Sequence, residues 1–267
     1  MSALQTLVPP ELVQRIFARI DPSHVLRFKR LCRFVRAALS DPHFATLNLR
    51  HFAQIGTVAS TSNFRLWFQW PSEYQEKYAG RALASLFEFK CPWKGIEGVI
   101  PRAIGSCKNL THLNLTENAL SGSIPRELCQ LKQLVCLYIN GNRLHGPLPD
   151  GLGGLINLQQ LNLAHNALSG PIPASIGRLK NLQSLYLNNN CLEGSLPASF
   201  GDCSSLKSAY IENNYLVGDI PAQLANLSKI QILYLAGGQN AFNRKLSEAA
   251  PRNARVWEIL MHQGFRF

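Results

Sequence analysis

The chain has 267 residues but no uninterrupted apolar run near the roughly 18 residues that a membrane-crossing helix needs. It has no CxxC pair either. Its seven cysteines are an odd number at irregular spacings, which argues against both a disulfide framework and a structural zinc site. No HExxH or His-carboxylate spacing, Walker loop or GxSxG elbow occurs. Catalysis needs a convergent set of groups, so none is expected here, and no metal or other cofactor is implied. Disorder is also excluded for the bulk: 46% of residues are apolar, enough for a sizeable core. The start of the chain runs within a few residues into Pro9-Pro10-Glu11 instead of an apolar leader, so the expected compartment is a reducing one, cytoplasmic or nuclear.

Lys and Arg number 27 against 16 Asp and Glu, a net charge of +11 that by itself suggests nucleic acid. The excess sits at the ends. Residues 1–50 hold eight basic and three acidic groups and residues 236–267 five and two, whereas residues 86–235 hold eleven and nine. No aromatic interleaving or reading-head motif accompanies the basic ends, so neither nucleic acid nor a membrane is an expected partner.

A repeat explains the neutral middle. From Leu110 the pattern runs Leu110, Leu113, Leu115, Asn118, Leu120, Gly122, Ile124-Pro125, Leu128, Leu131, and it recurs every 24 residues from Leu134, Leu158, Leu182 and Leu206 without insertion or deletion. One lapse is Ala209, where the other copies have Leu. A degenerate copy precedes the five, with Lys94 where Asn is due, and a partial one follows at Ile230, Leu233 and Leu235 before the register breaks at Gly237-Gly238. Imperfect terminal copies are expected of caps. The Leu-x-Leu segment predicts a short strand, and strands about 4.8 Å apart would stack into a parallel sheet about 30 Å long. The ninth-position Asn enters where the chain leaves the strand and would satisfy backbone groups there. Gly122 and its equivalents allow a positive-φ corner, and the following Ile-Pro an extended path.

These residues resemble the leucine-rich repeat, and the LxGxIP segment is similar to its plant-type 24-residue class, over residues 86–235. The resemblance implies an α/β repeat solenoid with its parallel β-sheet on the concave face. The inward positions are core, so recognition falls to the third, fifth and seventh position of each copy. The fifth positions are Lys90, Asn114, Tyr138, Asn162, Tyr186, Tyr210 and Tyr234; the seventh are Pro92, Thr116, Asn140, Ala164, Asn188, Glu212 and Ala236. From these, Tyr138, Asn162, Tyr186, Asn188, Tyr210, Glu212 and Tyr234 are the candidate client-binding residues, with the tyrosines at 186, 210 and 234 forming a stripe on adjacent rungs. The competing account is that aromatic residues simply suit a sheet surface. The sequons at Asn109, Asn114 and Asn226 follow from the repeat consensus and are not expected to carry glycans.

The first fifty residues have another character. Pro9-Pro10-Glu11 opens a helical stretch with Leu12, Val13, Ile16, Phe17 and Ile20 apolar, Asp21-Pro22-Ser23 stops and restarts it, and a second helix carries Val25, Phe28, Leu31, Cys32 and Val35 before Ser40-Asp41-Pro42. The combination, through Phe44, resembles an F-box, departing from it at Val35 where the family often has Trp. The resemblance implies a small all-α three-helix domain over residues 5–50. It would dock on the Skp-type adaptor of a cullin ubiquitin ligase core through Val8, Pro9, Leu12, Val13, Ile16, Phe17, Val25 and Leu26. The basic run Arg27, Lys29, Arg30, Arg33 and Arg36 is either a solvated face or attracted to an acidic partner surface.

Residues 51–85 are too aromatic for a flexible linker. Pro71-Ser72-Glu73 would open a helix whose Tyr74, Tyr78 and Leu83 cover the first coil. Residues 236–267 make the second cap, with Val256, Trp257, Leu260 and Met261 on one helix face. The whole implies a substrate-recognition subunit of an SCF-type ligase that holds a protein client on its repeats. The alternative is a repeat-protein scaffold or receptor-like module with no link to ubiquitin.

Overall fold

The structure, a computed structural model, describes residues 67–68, 72, 75–76, 79–243 and 254–266. The chain divides into two units, residues 1–85 and 86–267. The eight candidate adaptor-docking residues, and Tyr74 and Tyr78, lie outside the described residues. In the first unit Trp67 is fully buried and Phe68 meets it edge-on, with centroids 5.3 Å apart. The Trp67 indole N–H donates to the Gln75 carbonyl at 3.1 Å, and the buried Gln75 amide donates back to the Trp67 carbonyl at 3.0 Å. Ala79–Leu83 forms a π-helical turn that ends on the buried Leu83.

In the second unit each 24-residue copy makes one coil. Its Leu-x-Leu segment forms a three-residue strand, from Glu88–Lys90 through His112–Asn114, Cys136–Tyr138, Gln160–Asn162, Ser184–Tyr186 and Ser208–Tyr210 to Ile232–Tyr234. The seven pair in parallel in that order, and equivalent residues stand opposite one another, as in Tyr186↔Tyr210↔Tyr234. The centres of these strands, Leu113, Leu137, Leu161, Leu185, Ala209 and Leu233, are sealed from solvent. Burying a leucine contributes about 1.5–3 kcal/mol, so this column and its neighbours are the main source of stability.

The sequence pattern did not announce a second sheet. The segment holding the Leu-x-Gly of each copy is also extended, and seven such strands pair in parallel from Glu97–Val99 to Ala241–Phe242. The corner glycines adopt the positive φ that the spacing predicts, for example Gly170 at 71°. The Pro after each, with ψ between 132° and 140°, leads into a 3-10 turn such as Ala174–Arg178.

The ladder asparagines join coil to coil. Asn190 accepts the N–H of Leu168 at 3.0 Å and donates to the carbonyls of Leu163 and Leu187, both at 3.0 Å. Asn118, Asn142, Asn166 and Asn214 repeat the set. Although the sequence register breaks at Gly237-Gly238, the ladder continues. Asn240, 26 instead of 24 residues after Asn214, accepts the N–H of Leu216 at 2.9 Å and donates to Ile211 and Leu235. The pairing offset in the second sheet grows by the same two residues, from Glu193↔Tyr215 to Val217↔Ala241. The break is therefore a two-residue insertion, absorbed by two glycines of positive φ.

The eighth position is left-handed in every coil: Trp93, Glu117, Gly141, His165, Asn189, Asn213 and Gly237 have φ between 51° and 128°. Asparagine and glycine tolerate this well, while histidine bears a cost of about 1–2 kcal/mol. His165→Gly is therefore expected to raise stability by about 0.5–1 kcal/mol. Urea unfolding checks it, and a lower midpoint would show that the His165 side chain contributes more than its backbone costs.

At the far end the helix Ala254–His262 buries Val256, Trp257 and Leu260 as expected, but Met261 points away and is about half exposed. Four side chains at 256, 257, 260 and 261 span too wide an arc for one buried stripe. Gln263, which the pattern did not single out, closes the last strand: its Oε1 accepts the N–H groups of Leu235 at 2.9 Å and Ala236 at 3.1 Å, and its Nε2 donates to the Leu233 carbonyl.

Candidate functional site

The outward surface of the first sheet changes along its length. At its start are Glu88, Lys90 and His112, with Lys90 2.7 Å and His112 3.7 Å from the Glu88 carboxylate. The Lys90 hydrogen bond holds Glu88 below the usual carboxylate range. From the coil beginning at Leu158 onward, Glu212 is the one charged residue at the third, fifth and seventh positions.

Strand alternation brings Tyr186, Tyr210 and Tyr234 onto one line, and the parallel register stacks them. The rings of Tyr186 and Tyr210 lie 5.0 Å apart and 11° from parallel; Tyr234 follows at 5.3 Å with a 35° tilt. Tyr234, 48% exposed, ends the stack beside Ile232 at 37%, so the aromatic surface widens toward the C-terminal end. Two residues before the rings, at the start of the same strands, the Ser208 hydroxyl donates to that of Ser184 at 3.1 Å. Burial raises the Tyr210 hydroxyl above its usual pKa, with Tyr186 the next cause.

The remaining candidates differ in how free they are. Tyr138 is half-buried and donates to the Gln160 side-chain oxygen; burial, then Cys136, pushes its hydroxyl up to about 12. The Asn162 oxygen accepts the N–H of Ala164 at 3.1 Å, just as Asn114 accepts that of Thr116 at 3.0 Å, so both amides turn back onto their own chain. Asn188 is half-buried on the rung before Glu212. Glu212 is itself half-buried, and burial raises its carboxyl against weaker opposing pulls from nearby backbone and from His165. Among the described residues, nothing hydrogen-bonds its shielded Oε2.

Two expectations about this surface need correcting. Cys136, placed outward by alternation, is only 9% exposed because its thiol lies against the Tyr138 side chain. The seventh position is outward only in part: Thr116 and Ala164 are buried at 9% and 4%, small side chains sunk between neighbouring rungs. Thr116 donates to the Asn140 oxygen at 3.0 Å. Cys91, Cys107 and Cys203 are core, and burial pushes the Cys203 thiol up to about 12, far from nucleophilic use. Among the described residues there is no cluster of metal-ligating side chains, and no helix is long and apolar enough to cross a membrane.

Two parallel sheets joined by 3-10 turns around a leucine and asparagine core make this unit a leucine-rich repeat solenoid, and residues 94–144, 157–179 and 181–203 match the leucine-rich repeat families. Residues 6–47 match the F-box domain family, so the chain carries an F-box domain followed by leucine-rich repeats, the composition of an F-box/leucine-rich repeat protein. Both kinds of domain are typically non-catalytic adaptor or binding modules. No curated protein sequence matches the chain.

Among solved structures the chain is similar to the plant peptide hormone receptor RGFR1 in complex with RGF2, at 37% identity and TM-score 0.58, over 62% of this chain and 26% of that one. The leucine-rich repeat ectodomain of the Arabidopsis thaliana receptor kinase GASSHO1/SCHENGEN3 is 36% identical with TM-score 0.54, over 58% and 21%. A Leptospira interrogans leucine-rich repeat protein, LIC12759, shares the fold at 24% identity and TM-score 0.54, over 74% and 51%. The chain thus spans about a quarter of the length of the plant receptors it matches.

Proposed function

We propose that this chain is the substrate-recognition subunit of an SCF-type cullin ubiquitin ligase. The observation that carries the reading is the F-box match at residues 6–47, standing ahead of the leucine-rich repeats. In this reading Val8, Pro9, Leu12, Val13, Ile16, Phe17, Val25 and Leu26 dock on the Skp-type adaptor, and the first sheet holds a protein client in the cytoplasm or nucleus. A domain of about 45 residues cannot cover all its apolar side chains alone, which favours a partner for that face. The chain supplies proximity: tethering raises the effective concentration of client lysines near the activated ubiquitin.

The Leu12→Asp and Ile16→Asp pair in the full chain is expected to abolish co-purification with the adaptor and cullin while the repeats melt as before. Undiminished co-purification would sink this assignment. The likeness to plant receptor ectodomains, one of them a peptide hormone receptor solved with its peptide, favours a second reading, a peptide-binding module without ubiquitin. That reading expects wild type itself to retain neither adaptor nor cullin.

A further inference from the structure

We propose that Tyr186, Tyr210, Tyr234 and Glu212 form a subsite for a single basic side chain of the client, arginine in preference to lysine. The proposal rests on the client-holding role of the first sheet and adds the chemistry that this sheet selects.

Charge makes the first argument. Across the last four strands the outward positions carry one carboxylate and no lysine or arginine, so Glu212 is uncompensated on its own face. Its neighbours on the face, Asn188 on the rung before, Ala236 on the rung after and Tyr210 two residues back, carry no positive charge, and His165 is the titratable group whose pull reaches it. The Glu212 carboxylate is half-buried with one shielded oxygen that has no hydrogen bond; nearby backbone and His165 offset that burial in part, and a cation held beside the group offsets more of it.

Shape makes the second. The near-parallel packing of Tyr186 on Tyr210 covers their facing surfaces, whereas the tilt of Tyr234 and its 48% exposure leave an aromatic surface at the end of the stack. A guanidinium can lie flat on such a ring while its N–H fork meets a carboxylate; an ammonium offers only a point charge. The exposed Ile232 next to Tyr234 accommodates the methylene stem.

The test uses the full-length chain to select binders from a displayed library of random peptides, followed by synthetic copies of the winners. The expected winners share one Arg, its replacement by Gln weakens binding about tenfold or more, and replacement by Lys weakens it less. In Glu212→Gln, which keeps the side-chain shape, the Arg and Gln peptides should bind within twofold of each other. Three results overturn the subsite: winners with no shared basic residue, no winner at all, or an arginine preference undiminished in Glu212→Gln. The client-face reading fails separately. If Tyr186→Ala, Tyr210→Ala and Tyr234→Ala together leave peptide binding unchanged, the peptides sit elsewhere and that broader reading falls. If the tyrosine replacements remove binding but Glu212→Gln keeps the preference, only the subsite falls.

Discussion

Replacing Asn214 by Ala is expected to lower the unfolding free energy of the repeat unit by about 3–5 kcal/mol, because it leaves several buried backbone groups unsatisfied at about 1–3 kcal/mol each. The side chain is 1% exposed. It accepts the N–H of Leu192 at 3.0 Å and donates to the carbonyls of Leu187 at 3.0 Å and Ile211 at 2.9 Å. These three groups belong to two successive coils, so the substitution cuts a joint between coils as well as a turn. In a stack where each coil touches only its neighbours, such damage stays local. Amide hydrogen exchange should therefore rise steeply over residues 187–243 and much less over residues 110–160. A uniform rise would mean that the stack unfolds as one unit.

Gly201→Ala is the second large effect, at about 2–4 kcal/mol of destabilisation. A Cβ at Gly201 would stand 2.0 Å from the Gln223 carbonyl oxygen and 2.4 Å from its carbon, backbone atoms that cannot swing aside. The equivalent pairs follow one rule along the 3-10 turns. Gly105 faces Glu127, Gly153 faces Ser175 and Gly177 faces Ser199, all with a built Cβ under 3.0 Å from the opposing backbone. The exception explains itself: Cys129 has a side chain at this position, and the residue it faces, Gly151, has none, with 3.2 Å between the Cys129 Cβ and a Cβ built on Gly151. One member of each pair is glycine. Adding Gln223→Gly to Gly201→Ala removes the 2.9 Å contact with the Gln223 Cβ but not the carbonyl contact, and should therefore recover a minor part of the lost stability. A double-mutant cycle in urea measures the coupling, and an additive result would refute the pair rule.

The fold was legible in the sequence to the extent that one residue type does one job. Leucine at the strand centres, asparagine at the ladder and glycine at the corner each have a single physical reason for their place, and the 24-residue spacing exposes all three. The left-handed eighth position was illegible because Trp93, Glu117 and His165 hold it against their own preference. Cross-coil backbone hydrogen bonds such as Glu117 N–H to Asn140 O at 2.9 Å and His165 N–H to Asn188 O at 3.0 Å impose it. Asn240 was hidden by a two-residue insertion that shifts register but not geometry. Gln263 acts 30 residues from the Leu233 carbonyl it reaches, through a helix whose docking no local pattern encodes. At the candidate site, alternation found the tyrosine stripe. It did not reveal that Asn162 is bound to its own chain or that Glu212 has an unpartnered oxygen, since both depend on where side chains settle after folding.

The ring spacing of the tyrosine stack sets a mismatch with anything laid along it. The rings of Tyr186, Tyr210 and Tyr234 recur every 5.0–5.3 Å, whereas side chains on one face of an extended peptide recur about every 6.7 Å. The two scales act as a vernier: a segment running across the coils can bring one residue into full alignment with a ring, and its neighbours fall progressively out of step. For a client held on this surface, selectivity would then be concentrated in a single anchor, and the flanking sequence would be left free to vary.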